Sequence, residues 1–139
     1  MQSDSKRSFR CILASAALLL CGASRALAGG VYVICNSAVS LQAGDVRDVF
    51  LGEKGFAGSV KLAPADNSAA QAAFLEKALK LDAAKYAGIW TKKSFRDGAN
   101  PPPVKGSDAE AVAYVKQTPG GCSYTASAPG AGVTVVAKL

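Results

Sequence analysis

Histidine is missing from all 139 residues of this chain, and the gap closes off a wide range of chemistry. Zinc, haem held through a histidine, and every histidine-dependent catalytic triad are excluded. No Cys-x-x-Cys spacing occurs, which argues against a redox-active pair. The carboxylates form no recognisable pair at catalytic spacing, and Ser68 has neither a histidine nor an evident lysine base. An enzyme therefore has little to stand on, and no cofactor is implied. A basic helix and an interleaved aromatic stripe are both lacking, so nucleic acid is not expected as a partner. No internal repeat or low-complexity segment stands out.

Long apolar runs are absent too. The longest, Cys11–Cys21, falls short of the ~20 residues that a membrane-spanning helix takes. It follows Lys6, Arg7 and Arg10 and precedes Ala26-Leu27-Ala28, the layout of a secretory signal peptide with an A-x-A cleavage site. A lipoprotein signal at Cys21 fits less well, because Leu20 is not the small residue expected before a lipidated cysteine. Met1–Ala28 is thus expected to be a cleaved signal peptide. Gly29–Leu139 is then a single exported domain, periplasmic or secreted, with no membrane span.

The whole chain carries 16 Lys and Arg against 10 Asp and Glu. Cleavage removes Lys6, Arg7, Arg10, Arg25 and Asp4, leaving 12 against 9 and a net charge of +3. That mild excess helps to attract anions and is far too weak to argue for nucleic acid. Cleavage also removes Cys11 and Cys21. The remaining two, Cys35 and Cys122, are expected to pair in an exported domain. Closing so long a loop is worth about 4 kcal/mol in the chain-entropy model.

Val31–Cys35 (VYVIC) is a β-branched and aromatic run and reads as a buried strand. Asp45 opens a helix with Val46, Val49 and Phe50 on one face and Gly52 as its C-terminal glycine. Ser59–Phe74 (SVKLAPADNSAAQAAF) is the stretch that organises the chain. It reads as a strand (Ser59–Ala63), a turn (Pro64–Asn67) and a helix from Ser68. A strand passing through a polar turn into a helix start aims free backbone N–H groups at one spot, which suits an anion. Ser68 or Asn67 reads equally well as an ordinary N-cap.

Asp82–Phe95 is a second helical stretch, with Tyr86, Ile89, Trp90 and Phe95 expected in the core. Lys92, Lys93 and Arg96 read as a solvated edge or, alternatively, as an anion or partner patch. Three consecutive prolines stiffen the loop Arg96–Gly106. Ser107-Asp108-Ala109-Glu110 has capping-box spacing and opens a helix that stops at Pro119-Gly120-Gly121. Cys122–Ala126 and Gly132–Lys138 are the last strands. The order β-α-β-α-α-α-β-β predicts a small α/β sheet with helices on its faces.

Taken in order, VYVICNSAV, DVFLG, DNSAAQAAF, WTKKSF, PPPVKGSDAEAVAYV and PGGCSYTA resemble a known family across Val31–Leu139. It is the phosphate-binding, periplasmic substrate-binding proteins of ABC transporters, and more closely their short, single-lobe members. The resemblance implies one lobe of a type II periplasmic-binding-protein fold, a small mixed sheet flanked by helices. It implies phosphate or another small oxyanion as ligand, and an ABC permease or other periplasmic protein as partner. Ser68 and Phe74 keep the family's serine-to-phenylalanine spacing, and Asp66 stands at its aspartate, so the implied site is Asp66, Asn67, Ser68, Ala69, Ala70 and Gln71. A carboxylate there can accept a hydrogen bond from hydrogen phosphate, which sulfate cannot offer. The chain departs from the pattern at Pro64, where an arginine would stand, and at Ala69 and Ala70, which replace glycine and threonine. Short members often carry an arginine where this chain has Gln71. The alternative is an exported interaction module that keeps the fold without its anion site. The same resemblance puts Cys35 and Cys122 on neighbouring central strands, joined by a structural disulfide.

Overall fold

A computed structural model describes residues 30–139. The expected signal peptide, Met1–Ala28, lies outside the described residues. The chain is a mixed α/β domain built on one four-stranded sheet and two short strand pairs. Among the described residues no helix is long and apolar enough to cross a membrane.

The sheet centres on β1 (Tyr32–Asn36) and β7 (Gly121–Thr125), which run antiparallel. Strand β8 (Val133–Lys138) pairs antiparallel with the other side of β1, and β4 (Ala63–Pro64) lies parallel on the outer side of β7. β1 is buried at its three central apolar residues, and β7 along its whole length, where Ser123, Tyr124 and Thr125 each donate to an oxygen within the protein. Cys35 sits directly opposite Cys122 in the β1/β7 register, with Cα atoms 4.1 Å apart, and the two are joined by a disulfide. The bond is compatible with an oxidising, extracytoplasmic location.

A 3-10 turn (Ala43–Asp45) leads into helix α1 (Val46–Phe50), which buries Val46, Val49 and Phe50 as the spacing predicts. Gly52 has the positive φ of +73° that a helix-terminating glycine takes. A Cβ there would also come within 2.8 Å of the Trp90 ring, so the position has two reasons to lack a side chain.

The predicted strand Ser59–Ala63 is divided in two. β3 (Val60–Lys61) turns back on β2 (Phe56–Ala57) as a hairpin, and the chain then crosses to the main sheet as β4. The predicted turn Pro64–Asn67 is mostly extended: it ends β4 and forms β5 (Asp66–Asn67), paired parallel with β6 (Val104–Lys105). Proline is tolerated here because β4 is an edge. The amides of Ala63 and Ala65 donate inward to Gly120 and Cys122 carbonyls, and Pro64 falls between them, where no donor is needed.

Helix α2 (Gln71–Phe74) begins three residues later than Ser68 and continues as a π-helical segment, Leu75–Leu79, ending at left-handed Lys80. Helix α3 (Ala83–Asp97) is capped by Asp82, whose carboxylate accepts from the Lys85 amide. Helix α4 (Asp108–Gln117) is capped by Ser107, which accepts from the Glu110 amide. Glu110 returns its bond to Gly106 rather than to Ser107, a capping box displaced by one residue.

Phe50, Phe74 and Tyr124 form the centre of the core, with the Phe74 and Tyr124 rings stacked 3.9 Å apart. Tyr86 and Trp90 are buried as expected. Phe95 is not: it is 89% exposed. The predicted solvated edge also splits. Lys92 and Arg96 are exposed, but Lys93 is buried and its Nζ meets Glu53 at 2.9 Å, tying the Glu53–Gly58 loop to α3.

Candidate functional site

Strand β5 carries Asp66 into the protein. Its amide donates to Pro103, so the proline segment and β5 run side by side. The carboxylate is 3% exposed. The Tyr86 hydroxyl lies 3.1 Å from Oδ1 and 3.0 Å from Oδ2, and the Tyr124 hydroxyl donates to Oδ1 at 3.0 Å. Among the described residues no lysine or arginine pairs with it. A carboxylate offers about four acceptor positions, so two tyrosine hydroxyls leave capacity free. Burial raises the Asp66 pKa, and the hydrogen bonds from Tyr124 and Tyr86 oppose the rise without cancelling it. Burial, then the adjacent Asp66 charge, push both phenols far above their ordinary range.

Asp66 lies on the floor of an open cleft of about 580 Å³ between α3 and the proline segment. Tyr86 and Trp90 extend the floor, Gln71 also lines the cleft, and the exposed Phe95, Pro101 and Val104 form the rim. The Trp90 indole Nε1 is buried without a hydrogen-bond partner. It is close enough to the Tyr86 hydroxyl to lower that group's pKa slightly, but not in hydrogen-bond geometry.

The other sequence-predicted site residues part company at this point. Asn67 is fully buried and turned away from the cleft, and its Nδ2 donates to Asp108 at 2.7 Å and to the Tyr124 carbonyl at 2.9 Å. Its Oδ1 accepts from the Ala69 amide, and its carbonyl from the Ala70 amide. Ser68 is exposed, and both its amide and its hydroxyl donate to the Lys105 carbonyl. Ala69 is exposed and Ala70 buried. The amides of Ser68, Ala69 and Ala70 are thus all spent inside the protein, and the free N–H cluster expected at a helix starting from Ser68 does not form. Neither Ser68 nor Asn67 is the N-cap: Asn67 forms an Asx turn ahead of the helix, and the capping position falls to Ala70, which has no side-chain bond to give. Gln71, half-buried, is the one other predicted residue that reaches the cleft.

Asp108, at the first position of α4, gathers Asn67 Nδ2 together with the Ala126 amide and the amide and hydroxyl of Ser127. Burial works to raise its pKa, but the bonds from Ser127, Asn67 and the two amides outweigh it and hold the group below its ordinary value. Sequence reasoning saw Asp108 only as part of a capping motif and Tyr86, Trp90 and Tyr124 only as core or strand residues. Aromatic residues three or four apart on α3 do signal a buried face; which carboxylate that face covers is set by tertiary contacts.

No protein-family model matches the chain, and no curated protein matches it either.

Proposed function

We propose that the chain is an exported solute-binding domain, a single lobe of the type II periplasmic-binding-protein kind. It binds phosphate or another small oxyanion and works beside an ABC permease or another periplasmic protein. The observation that carries this reading is Asp66: a buried carboxylate with no paired cation among the described residues, on the floor of an open cleft, with acceptor capacity to spare. Hydrogen phosphate can donate a proton to such a group, and sulfate cannot. The order of sequence segments and the spacing from Asp66 through Ser68 to Phe74 add to it.

The test is a thermal melt of oxidised Gly29–Leu139 in phosphate, sulfate and chloride at matched ionic strength. A ligand at 100 times its Kd stabilises by about 2.7 kcal/mol, several degrees for a domain of this size. A rise specific to phosphate, lost in Asp66→Ala, is the expected result. No rise with any oxyanion favours a second reading, an exported interaction module without anion binding. The spent amides at Ser68, Ala69 and Ala70 are the observation on its side.

A further inference from the structure

The cleft has more room and more apolar margin than a bare oxyanion at Asp66 would use. A water occupies about 30 Å³ and a five-atom oxyanion roughly three times that, against about 580 Å³ between α3 and the proline segment. Asp66 is the one charged group lining the cleft and sits on its floor, whereas Phe95, Pro101 and Val104 give the rim an apolar margin. Phe95 is 89% and Val104 60% exposed, an apolar margin that nothing among the described residues covers. The floor is chemically two-sided. Asp66 offers an acceptor, and Trp90 Nε1, beside the Tyr86 hydroxyl that bonds Asp66, is a buried donor without a partner among the described residues. An orphaned buried donor costs free energy in the empty protein that a bound acceptor restores.

We infer that the ligand of this cleft is an organic monoester of phosphate or a phosphonate, held as its singly protonated anion, with an aromatic or aliphatic group lying along Phe95, Pro101 and Val104. The inference rests on the oxyanion reading of Asp66 and names its substrate class. Each part of such a molecule has its counterpart. The P–OH donates to Asp66, a phosphoryl oxygen accepts from Trp90 Nε1, and the organic group covers the apolar rim. A sulfonate lacks the donor and an ammonium lacks the acceptor, so the two-sided floor discriminates against both. The prolines hold their wall extended before the ligand arrives, which lowers the ordering cost of binding.

Titration calorimetry of oxidised Gly29–Leu139 with inorganic phosphate, methylphosphonate, phenylphosphonate, benzenesulfonate and benzylamine at one pH and ionic strength tests it. Burying on the order of 100 Å² of aryl surface should tighten phenylphosphonate over phosphate by at least about tenfold. Phe95→Ser and Val104→Ser, at exposed positions that do not hold the fold, should abolish that difference. Equal affinities for phosphate and phenylphosphonate, unchanged in the rim variants, overturn the inference and leave the oxyanion reading standing. Binding of benzenesulfonate or benzylamine as tight as that of phenylphosphonate overturns the head-group assignment. Absence of binding by phosphate and both phosphonates overturns the inference and the oxyanion reading together.

Discussion

Tyr124 donates its hydroxyl to Asp66 Oδ1 at 3.0 Å while its ring stacks on Phe74. One side chain on a central strand therefore joins the aromatic core to the cleft floor. The Asp66 carboxylate is held by neutral phenols rather than by a cation, and that choice sets how the protein responds to pH.

The Asp66 pKa is raised in the folded state, so the folded chain binds this proton more tightly than the unfolded chain. Ionisation of Asp66 destabilises fully above the raised pKa, and the penalty is relieved as pH falls toward the ordinary value of 3.8. One proton contributes a slope of at most about 1.4 kcal/mol per pH unit in that window. Asp66→Asn removes it. Comparing denaturant midpoints of wild type and variant from pH 7 to pH 4, the wild type should gain stability relative to the variant as pH falls. A flat difference would mean that Asp66 is not desolvated.

Tyr124→Phe and Tyr86→Phe keep their rings and each remove one donor from a buried carboxylate. Each should cost about 1.5–3 kcal/mol at pH 7, the usual range for a hydrogen bond to a charged group, and should push the Asp66 pKa higher still. The cost should shrink toward pH 4 as Asp66 takes up its proton. Urea unfolding at the two pH values measures both. A cost independent of pH would place the loss in packing.

Cys35 and Cys122 join residues 87 apart between the two central strands. Replacing both by alanine should lower stability by about 4 kcal/mol in the chain-entropy model. Intact mass after alkylation checks the pairing first. Neither cysteine should react without reductant, and both should after reduction in denaturant.

How much of this was legible from sequence depends on how local the cause was. Ser107 announced the start of α4 because a cap bonds three residues along its own chain. β1 and β8 were legible within a residue because their runs are rich in β-branched residues, and β7 because Pro119-Gly120-Gly121 ends the helix before it. The cysteine pairing came from export context and family resemblance, since nothing local sets β1 against β7. Pro64–Asn67 misled because its turn-like composition was overruled from a distance. The Gly120 and Cys122 carbonyls draw Ala63 and Ala65 into an edge strand, and Pro103 takes the Asp66 amide. Phe95 misled in a different way: its residue type suggested the core, but it stands five residues past Trp90, off the face of α3 that buries Tyr86, Trp90 and Lys93, and it lies on the rim of the cleft beside the proline segment. The cleft floor joins Asp66 to Tyr86 and Trp90, and Tyr124, 58 positions away, bonds Asp66 from behind, so no local pattern could outline it.

Asp108 yields the remaining prediction, and its sign is opposite to that of Asp66. Its pKa is lowered in the folded state, so it contributes stability that is present above the ordinary value of 3.8 and is lost as pH falls through the lowered folded value. The carboxylate fastens the loop after β7 to the start of α4 through the Ala126 and Ser127 amides, and steadies Asn67 beneath the site. Asp108→Ala leaves those donors without their acceptor, and because Ser127 is exposed, water replaces part of what is lost. The expected cost is about 1–2 kcal/mol at pH 7, shrinking as pH falls through the lowered folded value. Hydrogen exchange should quicken at the Ala126 amide while the Tyr124 amide on the buried strand stays protected. Exchange that quickens equally at both amides would mean that Asp108 supports the whole sheet instead of this one loop.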